Sequence, residues 1–515
     1  MLPLNRKRVI VAASLLASVF TSPGLRADVK LPALFSDHMV LQQGMAVPVW
    51  GWADEGEMVT VQFRNQKVRA AAKDGKWMVK LRSLKPGGSD TLTVSGKNSI
   101  ELKDVLVGEV WICSGQSNME WPLHRSFEPQ KDIQNSANPY LRLFTVPKLK
   151  ANEPASDVKS KWLESGPTTS SNFSAVAYYF GLDLQKALGV PVGLIHTSWG
   201  GSPAEVWMSR EVLEGSPQYK SEIVDAYPAA VKRYEDALAA YEKQAAELAK
   251  EGKKPAGNKP GPPFWKPSEL YNGMIAPLIP YAIQGAIWYQ GESNAGRAEQ
   301  YRSLFADMIR NWRRDWKQGD FAFLEVQLAP WDRNKKRSLD QILASLGESE
   351  WAELREAQWL ATKKLPKVGM AVITDVGDKD DIHPSKKEPV GARLALAARK
   401  IAYREKIVSS GPIYKAMKVN GDKIVLSFDN VGSGLEARDG ALKGFAVCGQ
   451  DKRWVWANAE IQGHRIVVSS PAISEPVAVR YGWSDFPVVN LWNKDGLPAS
   501  PFRTDDFPMV THRKK

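Results

Sequence analysis

The chain has 515 residues, more than one hydrophobic core organises, so two or three domains are expected. Its net charge of +12 is spread along the sequence with no Lys/Arg run long enough for a nucleic-acid arm, which argues against nucleic acid as a partner and only weakly favours anionic ones. The two cysteines, Cys113 and Cys448, exclude a disulfide framework, and Cys113 is expected as a buried free thiol.

Residues 1–27 read as a targeting segment. Arg6-Lys7-Arg8 supplies a basic start and Val9 to Phe20 an apolar stretch too short for a stable membrane span. Ala27 is a small residue at the expected cleavage point, so the mature protein is expected to begin at about Asp28, in the periplasm or outside the cell. A membrane anchor is the competing reading. No cysteine stands near the cleavage point to carry a lipid, and no later stretch is apolar enough to cross a bilayer.

Residues 28–104 carry short runs of period two, among them Val47 to Trp52, Met58 to Phe63, Trp77 to Leu81 and Thr91 to Val94. Asp74-Gly75 and Pro86-Gly87-Gly88 punctuate them, which predicts a β-sandwich module. Residues 105–408 alternate strands and helices. Val105 to Val107 and the following residues form an apolar strand, Phe173 to Leu184 a helix closed by Gly189, and Val192 to Thr197 a strand. Ile283 to Tyr289 and Val368 to Thr374 are further strands, and Ala392 to Ala402 is a helix. This alternation predicts an α/β domain built on a doubly wound, mostly parallel sheet, with its chemistry at the carboxyl ends of the strands. An insertion at about 212–270 combines a long helix, Ala229 to Glu251, with a Pro/Gly-rich linker, Pro255 to Pro267. It is either a surface hairpin or a lid; as a lid it would bring Phe264 and Trp265 to the ligand. Residues 409–515 return to short β runs, a C-terminal all-β module, with Phe486 to Pro508 packing back as an extended tail.

Four stretches follow predicted strands and carry polar chemistry. In Cys113-Ser114-Gly115-Gln116-Ser117-Asn118-Met119, a glycine turn presents Ser117 at a strand end, which suits a nucleophile as well as a helix cap. It is not the G-x-S-x-G elbow, because position 119 is Met. Thr197-Ser198-Trp199-Gly200-Gly201 offers backbone N–H groups for an oxyanion, or a plain turn, with Glu205 and Trp207 following. Trp288-Tyr289-Gln290-Gly291-Glu292-Ser293-Asn294 brings amide donors, Gln290 and Asn294, to a strand end, and Glu292 can orient a neighbour or hold a sugar hydroxyl. Asp375 to Pro384 places His383 among Asp375, Asp378, Asp380 and Asp381. Acid–base chemistry is favoured there over a calcium loop, whose spacing is not that of an EF-hand. His124 and His196 are rival bases, although His196 lies inside an apolar strand and reads as a core residue.

Together with Leu34 to Gln42, Asp381-Ile382-His383-Pro384 and the tail Asn493 to Asp505, these motifs resemble the sialate O-acetylesterase family of the SGNH hydrolase superfamily. The resemblance extends over most of the mature chain. It implies an SGNH-type α/β domain flanked by all-β modules, and removal of O-acetyl groups from sugars, with sialic acid the expected substrate and no cofactor. It further implies Ser117 as nucleophile and His383 as general base. Asp380, three residues before the histidine, is then the expected acid, with Asp381 its competitor. Ser117 N–H, Gly201 N–H and the Gln290 side chain would form the oxyanion hole. Gln116, Asn118, Trp199, Glu292 and Asn294 are the expected substrate-binding residues, and no metal is expected. An acetylxylan or other plant-polysaccharide acetylesterase is the nearest alternative, and a non-catalytic carbohydrate-binding protein the alternative of another class. A cleft-facing arginine would favour sialic acid, with Arg210, Arg297 and Arg393 as candidates. No oligomeric state is implied.

Overall fold

The computed structural model describes residues 28–512 except 251, 254, 256, 257, 335 and 336. The targeting segment read at 1–27 lies outside the described residues.

One strand, Ser99–Gly115, organises the molecule. Its first half alternates exposed and buried positions and pairs antiparallel with Gly87–Ser95, as the half-solvated edge of a β module does. From Val105 every residue is buried, first within the core of the N-terminal strands and then in the central sheet, which helices cover on both faces. The expected domain boundary at 104 therefore falls inside a continuous strand, and the N-terminal strands and the central sheet form one eleven-stranded sheet among the described residues. Gly96, Glu57 and Val29 pack at the outer end of this module, while Val47–Trp52 and Lys76–Leu81 pair as a separate two-stranded sheet.

The central path runs Val368–Ala371, Ala322–Val326, Gly285–Tyr289, Ser99–Gly115, Val192–Ser198, Asn138–Thr145, Trp162–Ser165. All neighbours on it are parallel except the last pair, an antiparallel edge. After the central strand the chain lays down Asn138–Thr145 and the edge strand Trp162–Ser165 on one side, returns with Val192–Ser198 between them and the centre, and then crosses to the other side, so Gly115 ends at the point where the chain changes sides. Crevices outside the carboxyl ends of strands open at such a point.

Helices Ala175–Leu188 and Glu388–Ile401 pack together on one face. Ala298–Trp316 and Glu350–Lys364 cover the other. On that second face Trp288 meets Trp207, Phe305, Trp312 and Phe323 with ring centroids 5.8–6.5 Å apart. Six of the 19 tryptophans, Trp111, Trp162, Trp207, Trp288, Trp312 and Trp316, are under 2% exposed, so much of the high tryptophan content is core filler rather than sugar-stacking surface. Cys113 and Cys448 are both buried free thiols.

The insertion contains the helix Ala226–Ala249, which has no buried residue. The C-terminal strands close a core of their own around Ile424, Leu426, Val447, Val468 and Tyr481. The tail does return to the body: Val510 and Thr511 donate backbone N–H groups to the Glu353 carboxylate, and Gln327 Nε2 donates to Ser500 Oγ at 2.9 Å. Among the described residues no helix is long and apolar enough to cross a membrane.

Candidate active site

The site is built where three strand ends meet. Gly115 has φ 141°, and a Cβ there would lie 2.2 Å from Tyr289 O on the neighbouring strand, so only glycine fits. Gln116 N–H donates to Tyr289 O at 3.0 Å, and Trp199 N–H donates to Gly115 O at 3.1 Å. Ser117 then begins a single helical turn, Ser117–Glu120. Its hydroxyl emerges at the turn's first position, where backbone N–H groups have no helical acceptor. Gly200 comes against it: a Cβ on Gly200 would sit 3.2 Å from Ser117 Cβ.

His383 arrives from the loop after Val368–Ala371. Its Nε2 lies 2.8 Å from Ser117 Oγ. Asp381 Oδ1 accepts the His383 backbone N–H at 2.9 Å and stands 3.4 Å from Nδ1. Nε2 can thus accept the serine proton while Nδ1–H faces a carboxylate. Burial holds the His383 pKa below the ordinary imidazole value; the Asp381 charge pulls it up, and Lys387 and Arg125 push it further down. A neutral imidazole beside a hydroxyl is the base form that acyl transfer needs.

The structure separates the two candidate acids. Asp378 Oδ1 accepts the Asp380 and Asp381 N–H groups at 2.8 and 3.2 Å, and this turn directs Asp381 to the imidazole. Asp380 is 62% exposed and pairs with Lys379. Asp375 makes a two-point pair with Arg393 at 2.6 and 2.7 Å. The carboxylates of this loop therefore point to different partners, not to a common ion.

The side-chain donor expected in the oxyanion hole, Gln290, is placed differently. Gln290 is fully buried and gives its side-chain N–H groups to Ser202 O at 3.2 Å and Asn294 Oδ1 at 2.7 Å, while its Oε1 accepts from Tyr301. It supports the loop from behind and has no donor left for a substrate. Gly200 N–H, beside Ser117, donates to Glu120 Oε2 at 2.7 Å. Among the described residues, Ser117 N–H and Gly201 N–H are left without a protein acceptor.

The expected substrate contacts are mostly structural. Asn118 is fully buried: Nδ2 donates to Glu292 Oε1 at 2.7 Å and to Ile382 O at 3.1 Å, and Oδ1 accepts from Lys387 Nζ. Asn294 donates to Glu205 Oε2 at 3.0 Å and accepts from Ala204 N–H, clamping the loop after Ser198. Gln116 Oε1 accepts from Gly291 and Ser293 N–H groups. Trp199 packs edge-on against Trp265 of the insertion at 5.6 Å. Trp199, Phe264 and Trp265 are all absent from the wall of the serine cleft, so among the described residues the insertion does not close over Ser117.

That cleft holds about 680 Å³ and is lined by Ser117, His383, Trp121, Arg125, His196 and Lys148, among others. Sequence reasoning did not reach Trp121, Arg125 or Lys387. Trp121 stacks on the His383 ring at 5.4 Å and 19°; its place two residues after the serine motif was the available signal. Lys387 is buried, with burial pressing its pKa down to about 7 against the pull of Glu292 and Asp381. In the run Lys386-Lys387-Glu388 it reads as a solvated charge, and nothing in the sequence marks it. His196 touches the cleft but is mostly buried beside Ser198 Oγ at 2.6 Å, with burial lowering its pKa to about 4. His124 Nδ1 meets Ser171 O at 3.0 Å.

A model of carbohydrate esterases described as sialic acid-specific acetylesterases matches residues 257–400. Sialate O-acetylesterases of Homo sapiens and Pongo abelii are each 30% identical over 92% of this chain and 92% of their own. The chain belongs to the sialate O-acetylesterase family. The Mus musculus sialate O-acetylesterase is 29% identical over 97% of both chains. The crystal structure of a carbohydrate acetylesterase from Xanthomonas citri matches with a TM-score of 0.79 and 38% identity, covering 93% of this chain and all of that one. The protein is accordingly an enzyme of the carbohydrate O-acetylesterase class, and its α/β fold matches that structure.

Proposed function

We propose that this esterase is exported and removes O-acetyl groups from sialic acid by serine chemistry through an acetyl-Ser117 intermediate. The observation that carries the reading is the 2.8 Å contact of Ser117 Oγ with His383 Nε2 in the crevice at the strand ends. His383 takes the Ser117 proton as the hydroxyl attacks the acetyl carbonyl. Ser117 N–H and Gly201 N–H supply donors for the oxyanion. His383 then protonates the departing sugar oxygen, and water activated by His383 releases acetate. Asp381 holds the imidazole tautomer and stabilises the imidazolium.

Acetate release from 9-O-acetylated sialic acid and from acetylated xylan, each with wild type and Ser117→Ala, tests this. Serine-dependent release that favours sialic acid supports the proposal, whereas a preference for xylan assigns the plant-polysaccharide reading. Release that survives the mutation removes Ser117 from the chemistry. Expression with cell fractionation tests export: a mature chain beginning near Asp28 outside the cytoplasm is expected, and an uncleaved cytoplasmic chain contradicts it.

The pH profile follows from the charges around His383. The base must be neutral, so kcat/KM rises with pH through the His383 pKa, which lies below the ordinary imidazole value. Lys387 lowers that pKa, so Lys387→Met should move the acidic limb to higher pH. A limb that stays in place or moves lower contradicts the assignment of His383 as base.

A further inference from the structure

Arg210, Arg297 and Arg393 do not face the cleft as free cations. Arg210 pairs with Glu214, Arg297 with Glu205, and Arg393 with Asp375. The cleft has a different arginine. Arg125 lines the same wall as Ser117 and His383. Its guanidinium carbon lies 4.1 Å from the centre of the Trp121 ring, and Trp121 in turn stacks on His383. Trp121 Nε1 donates to Arg125 O at 2.9 Å, which fixes the backbone beneath the side chain.

Among the described residues, Arg125 makes no ion pair, whereas the neighbouring cleft cation Lys148 is neutralised by Glu120. The residue is exposed. Stacking holds the planar guanidinium in one orientation and leaves its N–H edge free. An orientation held in advance reduces the entropy lost when a carboxylate docks on that edge with two hydrogen bonds. The charge is also near enough to the reacting centre to act on His383.

We propose that Arg125 is the specificity-determining residue of this esterase: it binds the carboxylate of an acidic acetylated sugar and so sets that sugar's acetyl ester against Ser117. This rests on the sialate reading above and names the residue that reads the acid. Lys148, with its charge already matched by Glu120, does not compete for the carboxylate.

The test compares 9-O-acetyl-N-acetylneuraminic acid with its methyl ester, which keeps the sugar and removes the charge. Wild type should favour the free acid in KM by about 10- to 100-fold, the range of a charge-assisted hydrogen bond. Arg125→Met keeps an apolar stem over Trp121 and should bring the acid-to-ester ratio close to one. Arg125→Lys should restore part of the preference. The thermal midpoints of both variants are recorded to show that they fold.

Equal KM values for acid and ester in wild type, or a preference that survives Arg125→Met, would overturn the proposal. The second arm measures unacetylated N-acetylneuraminic acid and its methyl ester as inhibitors of 4-nitrophenyl acetate hydrolysis. Stronger inhibition by the acid, lost with Arg125→Met, supports the carboxylate site even if wild type deacetylates neither sialoside, in which case only the sialate reading fails. Equal inhibition by acid and ester counts against the site itself.

Discussion

Ser117→Ala should slow acetate release by at least about 10⁴-fold, and His383→Ala should do nearly as much. The two side chains act as one unit: the hydroxyl has no nucleophilic strength without a base, and the imidazole has no proton to take without the hydroxyl. Their 2.8 Å contact leaves no room for a bridging water that could substitute for either. The double variant should therefore be little worse than the worse single one. Additive losses would mean that serine and histidine work independently. Steady-state acetate release, with thermal melts to confirm folding, measures this.

Asp381→Asn should lower kcat by about 10²-fold, while Asp380→Asn should stay within about 2-fold of wild type. A tightly bonded carboxylate in a Ser-His-Asp unit contributes more than this, on the order of 10⁴-fold. Here the carboxylate stands 3.4 Å from Nδ1 and also accepts a backbone N–H, so it orients and stabilises less strongly. Asp380 faces solvent and Lys379, and the imidazole gains nothing from it. A loss with Asp380→Asn and none with Asp381→Asn would reverse the assignment. Asp381→Asn should also shift the acidic limb of kcat/KM to lower pH, because the Asp381 charge is what raises the His383 pKa.

The contrast between these two aspartates shows what the sequence could and could not convey. Strand periodicity and glycine turns are one-dimensional signals, so Ser117 and His383 were legible as polar residues placed just past buried strands. The alternation of strands and helices likewise announced the parallel sheet, and the short period-two runs announced the β strands on either side of it. Direction around a loop is not a one-dimensional signal. Asp378 caps the turn and rotates Asp381, not Asp380, toward the ring, and spacing alone cannot report that rotation.

Gln290 and Asn118 are instructive in the same way. Both sit at the strand ends that form the crevice, yet both turn inward, Gln290 toward Tyr301 on the covering helix and Asn118 toward Glu292 and Lys387. A buried amide must satisfy its donors, and partners distant in sequence decide where they go. The strand Ser99–Gly115 defeats a boundary drawn at 104 for a related reason. Its change from alternating to continuous burial marks a change of neighbours, not a break in the chain.

The most direct test of the central claim is mass spectrometry of the protein after reaction with a fluorophosphonate that stops at the covalent stage. One adduct is expected, on the peptide that contains Ser117, with loss of acetate release in proportion to labelling and no labelling of His383→Ala on the same time scale. An adduct on Ser198 or another serine, or full activity in a protein labelled at Ser117, would contradict the account.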